Sequence, residues 1–137
     1  MVYVFDSSFI AALIIPDEEI VRVKYMYNKI SNESNKYVPQ LLWYEITNVF
    51  KNLILRKRYT SDEIIQFFPS LSAFRLINDN ETGIDYSRKL FHLSNDYNLS
   101  SYDAAYLELA ERKEAVLCTL DDKLLIVAKK RDVMTLE

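Results

Sequence analysis

The chain is nearly devoid of three residue types that build common active sites. Its 137 residues include one glycine, one histidine and one cysteine, which are Gly83, His92 and Cys118. A single glycine excludes the glycine-rich dinucleotide loop, the phosphate-binding P-loop and the nucleophile elbow. One cysteine excludes an intramolecular disulfide and a cysteine-cluster zinc site, and one histidine excludes paired-histidine metal sites. If the chain is an enzyme, its tools are carboxylates, hydroxyls and a hard metal ion.

Length and composition favour one folded domain over residues 1–137, because half of the residues are hydrophobic and 13% are aromatic. The first residues lack the basic segment of a signal peptide. The apolar run at residues 9–15 is far shorter than the ~20 residues that span a bilayer. We therefore expect a cytoplasmic protein without a membrane anchor, and a lone reduced cysteine agrees with that compartment.

Short apolar runs alternate with amphipathic segments along the whole chain. The pattern predicts strands at 2–5, 37–38, 73–77 and 115–120, with a candidate last strand at 133–135. It predicts helices at 8–13, 17–30, 41–56, 60–67, 84–97, 101–112 and 123–130. This alternation indicates an α/β fold, a three-layer α/β/α sandwich around a short central parallel sheet. Ligands of such sheets bind beyond the carboxyl ends of the strands.

Four of the 20 acidic residues stand in apolar surroundings. Asp6 and Asp121 each follow a predicted strand, so both are expected at the carboxyl edge of the sheet. Asp103 falls in the first turn of its helix, on the apolar face. Glu45 borders the buried stripe of its helix, about 100° from the neighbouring apolar position.

Each of these acids also has an ordinary structural explanation. Asp6 can cap a helix, Asp103 can be a first-turn acid and Asp121 a turn residue, while Glu45 can lie exposed on a helix flank. The expectation that all four acids converge on one point favours a functional role over these structural ones. Buried carboxylates near one point repel one another unless a cation neutralises them, and ligand sets made of oxygen alone select Mg²⁺ or Mn²⁺.

The segments that hold these acids are similar to those of a known family. They are residues 5–8 (FDSS), 44–46 (YEI), 101–110 (SYDAAYLELA) and 119–124 (TLDDKL). In this order the chain resembles the PIN domain, most closely the VapC-type toxin ribonucleases of prokaryotic toxin–antitoxin pairs. The family often has asparagine two places after the first aspartate, where this chain has Ser8. Asp121 and Asp122 compete for the fourth position, and the Thr-x-Asp spacing favours Asp121.

The resemblance implies a Mg²⁺- or Mn²⁺-dependent endoribonuclease. Asp6, Glu45 and Asp103 would hold the metal, directly or through water, and Asp121 would complete the acidic cluster. It also implies an RNA substrate, a cognate antitoxin that holds the enzyme inactive, and a homodimer. A PIN-like RNA-processing nuclease without an antitoxin, or a non-catalytic scaffold that binds RNA or protein, stays open as an alternative.

Three further residues are candidates for contacts with water or RNA. Ser7 and Thr119 are expected either to position a water or phosphate oxygen or to cap helices. Arg56 shares a helix flank with Glu45 and is a candidate for an RNA phosphate contact.

The net charge of -3 does not argue against RNA once these acids are set aside. Removing the four from the 20 acidic residues leaves 16, against 17 basic residues. The apo site is expected to repel RNA, so RNA binding should depend on the metal.

Overall fold

The computed structural model describes residues 1–16 and 20–137. Within them the sheet consists of β1 (Val2–Phe5), β2 (Asn35–Val38), β3 (Ile77–Asn78) and β4 (Val116–Cys118). The strands are all parallel and lie in the order β3-β2-β1-β4. Phe5 pairs with Cys118 at the ends of β1 and β4. The chain segments that follow these two strands therefore leave the sheet side by side.

Helices cover both faces of this sheet. They are α1 (Ser7–Ile14), α2 (Ile20–Tyr27), α3 (Leu41–Leu55), α4 (Ser61–Ile65), α5 (Phe68–Ala73), α6 (Ile84–Tyr97), α7 (Ser101–Arg112) and α8 (Asp122–Lys130). Short-range chemistry fixes the starts of two of these helices. Thr60 and Glu63 form a complete capping box at α4, and Ser100 caps α7 through the backbone N–H of Asp103.

Two apolar clusters lie on opposite sides of the sheet, and β1 contributes to both. Tyr3 and Phe5 pack with buried residues of α1, α2, α3 and α5, whereas Val4 packs with those of α6, α7 and α8. This alternation follows from the two-residue period of a strand. The predicted three-layer α/β/α sandwich is thus confirmed, and α7 is its most deeply packed helix, with residues 104–110 all buried.

The predicted third strand at 73–77 is wrong in its position. Ala73 ends α5, which begins with Pro69 in its first turn, where the fixed φ of proline suits a helix. Arg75 then takes a left-handed conformation with φ 53 that ends the helical path. Strand pairing begins only at Ile77, which lies opposite Tyr37.

Other predicted helices and strands differ less from the observed ones. The predicted helix at 60–67 is the short α4, with α5 following it, and the candidate strand at 133–135 is a single bridge between Leu117 and Thr135. The predicted helix at 17–30 begins outside the described residues, and its described part is α2. No helix in residues 1–16 and 20–137 combines the length and the apolar character needed to span a membrane.

Candidate active site

Asp6 lies at the carboxyl end of β1 and caps α1. Its Oδ1 accepts hydrogen bonds from the Phe9 backbone N–H at 2.9 Å and from the Ser8 hydroxyl at 2.7 Å. Its Oδ2 accepts a hydrogen bond from the Thr119 hydroxyl. Only 4% of Asp6 is exposed. Burial raises the pKa of Asp6 to about 6, although these hydrogen bonds oppose the rise.

The segment that follows β4 is tied to Asp6 through hydroxyl groups. Thr119 Oγ1 also accepts the backbone N–H of Asp121 at 3.0 Å, and Ser8 Oγ accepts the backbone N–H of Leu120 at 3.0 Å. Asp121 then caps α8, accepting the Leu124 backbone N–H at 2.8 Å. Asp121 stays exposed beside the buried Asp6 network.

Glu45 reaches the same region from α3. Its Oε1 accepts a hydrogen bond of 2.6 Å from the hydroxyl of Tyr106, a buried residue of α7. Burial raises the pKa of Glu45, and the negative charge of Asp103 adds to the rise, while the Tyr106 and Ser7 hydroxyls lower it. Glu45 is therefore oriented by a hydrogen bond rather than by a cation.

Asp103 is the acid that connects the other three electrostatically. It is half-buried in the first turn of α7, and its charge raises the pKa of both Asp6 and Glu45. Its own pKa is raised by burial and by the charge of Asp121, against the lowering effect of Ser100 and Lys123. Asp103 thus interacts unfavourably with the charges of Asp6, Glu45 and Asp121 at this edge of the sheet.

None of these acids has an ion-pair partner among the described residues. Asp79, which directly follows β3, shows the contrast. Arg112 binds both of its oxygens, at 2.9 and 2.6 Å, and these hydrogen bonds lower the pKa of Asp79. One acid at this edge of the sheet is neutralised internally, whereas Asp6, Glu45 and Asp103 are not.

The donor chemistry of this cluster fits a hard divalent cation. Its candidate ligands are all carboxylate oxygens, which Mg²⁺ and Mn²⁺ prefer, and no basic group of the described residues forms an ion pair with them. As the side chains of the described residues stand, no three histidine, cysteine or acidic groups form a ready ligand set.

Comparison with known proteins identifies the family of the chain. The model of the PIN domain family matches residues 3–130, which include all four acids. The chain belongs to the PIN domain family. It is 29% identical over 124 residues to a protein of Pyrobaculum aerophilum named Ribonuclease VapC3, and this match covers 90% of the chain and 92% of the relative.

Solved structures show that the fold of this PIN domain recurs in toxins. The Mycobacterium tuberculosis toxin VapC20, described as cleaving the sarcin–ricin loop, superposes with a TM-score of 0.69 at 14% identity, covering 93% of this chain and 95% of the other. A toxin–antitoxin complex from Klebsiella pneumoniae gives a TM-score of 0.59 at 21% identity, covering 87% and 86%. At such identities these likenesses show the fold alone.

The other residues of this PIN domain that were predicted as candidates for the site differ in their position and contacts. Ser7 begins α1 and lies near Glu45 and Tyr106. Thr119 is 1% exposed and is bonded to Asp6, so its hydroxyl is directed at a carboxylate. Arg56 is exposed at the end of α3, about 16 Å along the helix axis from Glu45 at 1.5 Å per residue. Asp122 is the first residue of α8.

Two residues of the site were not predicted as functional. Tyr106 comes three residues after Asp103, so helical spacing places both on the side of α7 that faces the site, and this signal was available in the sequence. Ser8 replaces the asparagine common in the family. Its hydroxyl bonds Asp6 and the segment after β4, a contact between residues 112 positions apart that sequence spacing does not reveal.

Proposed function

We propose that this PIN domain is a Mg²⁺- or Mn²⁺-dependent endoribonuclease that hydrolyses phosphodiester bonds of RNA. Asp6, Glu45 and Asp103 hold the metal, and Asp121 completes the acidic cluster. The name of the Pyrobaculum relative supports a ribonuclease, and the oxygen-only acidic cluster supports metal-assisted hydrolysis. The fourth acid is Asp121 rather than Asp122, because the charge of Asp121 is the one that acts on Asp103.

One observation carries the proposal. Asp6 is buried and forms no ion pair with any basic residue that the structure describes, whereas Asp79 at the same sheet edge has a bidentate arginine partner. A buried carboxylate without a counter-ion lowers stability, so a purely structural role would favour a neutral residue or a basic partner. Its retention beside two further acids is explained by a cation that binds during function.

Hydroxyl groups of the chain orient the carboxylates that are proposed to bind the metal. Thr119 and Ser8 fix the Asp6 carboxylate, and Tyr106 fixes that of Glu45. A bound divalent ion supplies activation of water at neutral pH and neutralisation of charge on the phosphoryl oxygens. Ser7, near Glu45, is placed to orient a water or a phosphate oxygen. Thr119 acts through Asp6 instead, because its hydroxyl is buried against that carboxylate.

We further propose that the enzyme is the toxin of a type II toxin–antitoxin pair, inhibited by a cognate antitoxin, and that it forms a homodimer. Its structural neighbours support this assignment, since one is a toxin described as cleaving the sarcin–ricin loop and another is a toxin–antitoxin complex. Arg56 contacts an RNA phosphate away from the metal, since its exposed guanidinium has no ion-pair partner within the described part of the chain.

Metal-dependent cleavage of single-stranded RNA by the purified protein tests the proposal. We expect cleavage with Mn²⁺ or Mg²⁺, none with EDTA, and a loss of at least a hundredfold in Asp6→Asn and Asp103→Asn, because each removes one ligand charge. Asp96→Asn is the matched control, since Asp96 is exposed on α6 away from the site. Equal cleavage by wild type and by both site variants would indicate a contaminating nuclease and contradict the proposal.

A further inference from the structure

Two exposed tyrosines stand next to the acids of the site. Tyr44 directly precedes Glu45 on α3, and Tyr102 directly precedes Asp103 on α7. They are 79% and 61% exposed, and neither hydroxyl has a hydrogen-bond partner among the described residues. A single exposed aromatic ring is ordinary, but two that lie together beside one site are typical of a ligand-binding surface.

These tyrosines line one cavity together with a residue of the acidic cluster. The cavity has a volume of about 570 Å³, and its lining residues are Leu41, Tyr44, Glu45, Asn48 and Tyr102. Leu41, Tyr44 and Asn48 are spaced by three and four residues, so one face of α3 carries an apolar side chain, an aromatic ring and an amide. Because Glu45 belongs both to this wall and to the acidic cluster, whatever fills the cavity adjoins the cluster.

We propose that this cavity receives one nucleobase of single-stranded RNA, the base next to the phosphate held at the acidic site. The proposal rests on the ribonuclease function proposed above. Tyr44 and Tyr102 supply π-faces on which an unpaired base stacks, and Leu41 supplies apolar contact. The Asn48 amide, which has no partner among the described residues, offers both a donor and an acceptor to the edge of the base.

A neighbouring cavity on the other side of the two tyrosines is less suited to RNA than the cavity beside Glu45. A second cavity of about 400 Å³ shares Leu41, Tyr44 and Tyr102, but Glu81 also lines it. The Glu81 carboxylate has no ion-pair partner in the part of the chain that the structure describes, so it repels an RNA backbone. The base therefore enters from the Glu45 side, where a bound metal offsets the negative charge.

A binding measurement tests the stacking contact separately from cleavage. The probe is a short single-stranded oligoribonucleotide with a fluorescent purine analogue whose emission falls on stacking. It is titrated with Ca²⁺ in place of Mg²⁺ and Mn²⁺, and the RNA is sized afterwards to show that it is intact. We expect Tyr44→Ala and Tyr102→Ala each to raise the Kd about tenfold and to reduce the quenching.

Two kinds of control accompany these variants. Tyr44→Phe and Tyr102→Phe keep the ring and should retain affinity and quenching. Tyr25→Ala removes a tyrosine of similar exposure, 65%, from α2, away from the cavity, and should bind as wild type does. Wild-type affinity in both alanine variants, or phenylalanine variants as weak as the alanine ones, would overturn the inference.

Asn48 provides an independent readout. Probes that differ at a single base should bind wild type with unequal affinity, and Asn48→Ala should flatten these differences while leaving the quenching intact. Loss of quenching without any change in base preference would contradict the role of the amide.

Failure of this inference is distinguishable from failure of the proposed function. A wild type that cleaves RNA with Mn²⁺, together with tyrosine-to-alanine variants of unchanged KM and kcat, would overturn the nucleobase site alone. Stacking of the probe by a protein that never cleaves RNA would overturn the nuclease proposal and support the base site.

Discussion

Tyr106 donates a hydrogen bond of 2.6 Å to Glu45 and so joins the central helix α7 to α3 at the acidic cluster. Burial raises the pKa of Tyr106 far above its usual range, and the hydrogen bond to Glu45 and the charges of Glu45 and Asp6 add to the rise. The Tyr106 hydroxyl therefore stays protonated, and remains a hydrogen-bond donor, at every pH at which the protein is folded. It is a positioning residue that holds one carboxylate in place.

We expect Tyr106→Phe to shift the acidic limb of the pH–rate profile for RNA cleavage to higher pH. Loss of the hydrogen bond removes an interaction that favours ionised Glu45, so the pKa of Glu45 rises and metal binding requires a higher pH. The free energy of unfolding should fall by about 1–2 kcal/mol. Tyr3→Phe is the control, because the Tyr3 hydroxyl makes no hydrogen bond among the described residues. A pH profile identical to that of wild type would exclude the positioning role.

The stability of the metal-free protein should decrease as the pH rises from about 4 to about 6. Between the ordinary Asp pKa of 3.8 and the folded value of about 6, folded Asp6 retains a proton that the unfolded chain has released. The unfolding free energy therefore falls with rising pH, by about 3 kcal/mol over the whole window at 1.4 kcal/mol per pKa unit. Glu45 and Asp103 act in the same direction, since their pKa values are also raised.

Denaturant unfolding in EDTA across this pH range measures the effect. Asp6→Asn keeps a side chain that can cap α1 but cannot ionise, so its unfolding free energy should depend less on pH and exceed that of wild type near neutral pH. An equally steep pH dependence in this variant would assign the effect to other groups.

Mg²⁺ or Mn²⁺ should raise the thermal midpoint of the wild type at neutral pH. A cation that binds only the folded state and is present at a hundred times its Kd stabilises it by about 2.7 kcal/mol. Asp103→Asn should melt higher than wild type in EDTA, because repulsion is relieved, and should no longer respond to the metal. Asp96→Asn should keep the wild-type response. An unchanged thermal midpoint in the wild type at millimolar metal would contradict the metal site.

RNA affinity should likewise require the metal.

Arg112→Met should lower the free energy of unfolding by about 3 kcal/mol, because it leaves the buried carboxylate of Glu108 and the half-buried carboxylate of Asp79 without their shared cation. Arg131→Met is the matched control. It breaks a more exposed pair with Glu111, where the cost should be up to about 1 kcal/mol. Guanidinium unfolding curves at neutral pH provide the comparison, and equal losses in both variants would disprove a special role for the Arg112 network.

Local chemistry in the sequence predicted much of this fold. Strand and helix alternation, the capping box at Thr60 and the acids after β1 and β4 are all set by residues a few positions apart. For this reason the α/β/α architecture followed from the pattern alone. The strand predicted at 73–77 was wrong because the pattern of these five residues is weak. The helix with Pro69 in its first turn extends to Ala73 instead.

The sequence by itself determined which side chains could be metal ligands, because with one histidine and one cysteine only carboxylates remain. Position after a strand does not by itself tell Asp6 from Asp79, since both are aspartates that follow a strand. The tertiary structure separates them, because Arg112 lies on Asp79, whereas the described partners of Asp6 are two hydroxyls and the Phe9 backbone N–H, all uncharged. The balance of charge around an acid depends on partners distant in sequence, and those contacts exist only in the folded chain.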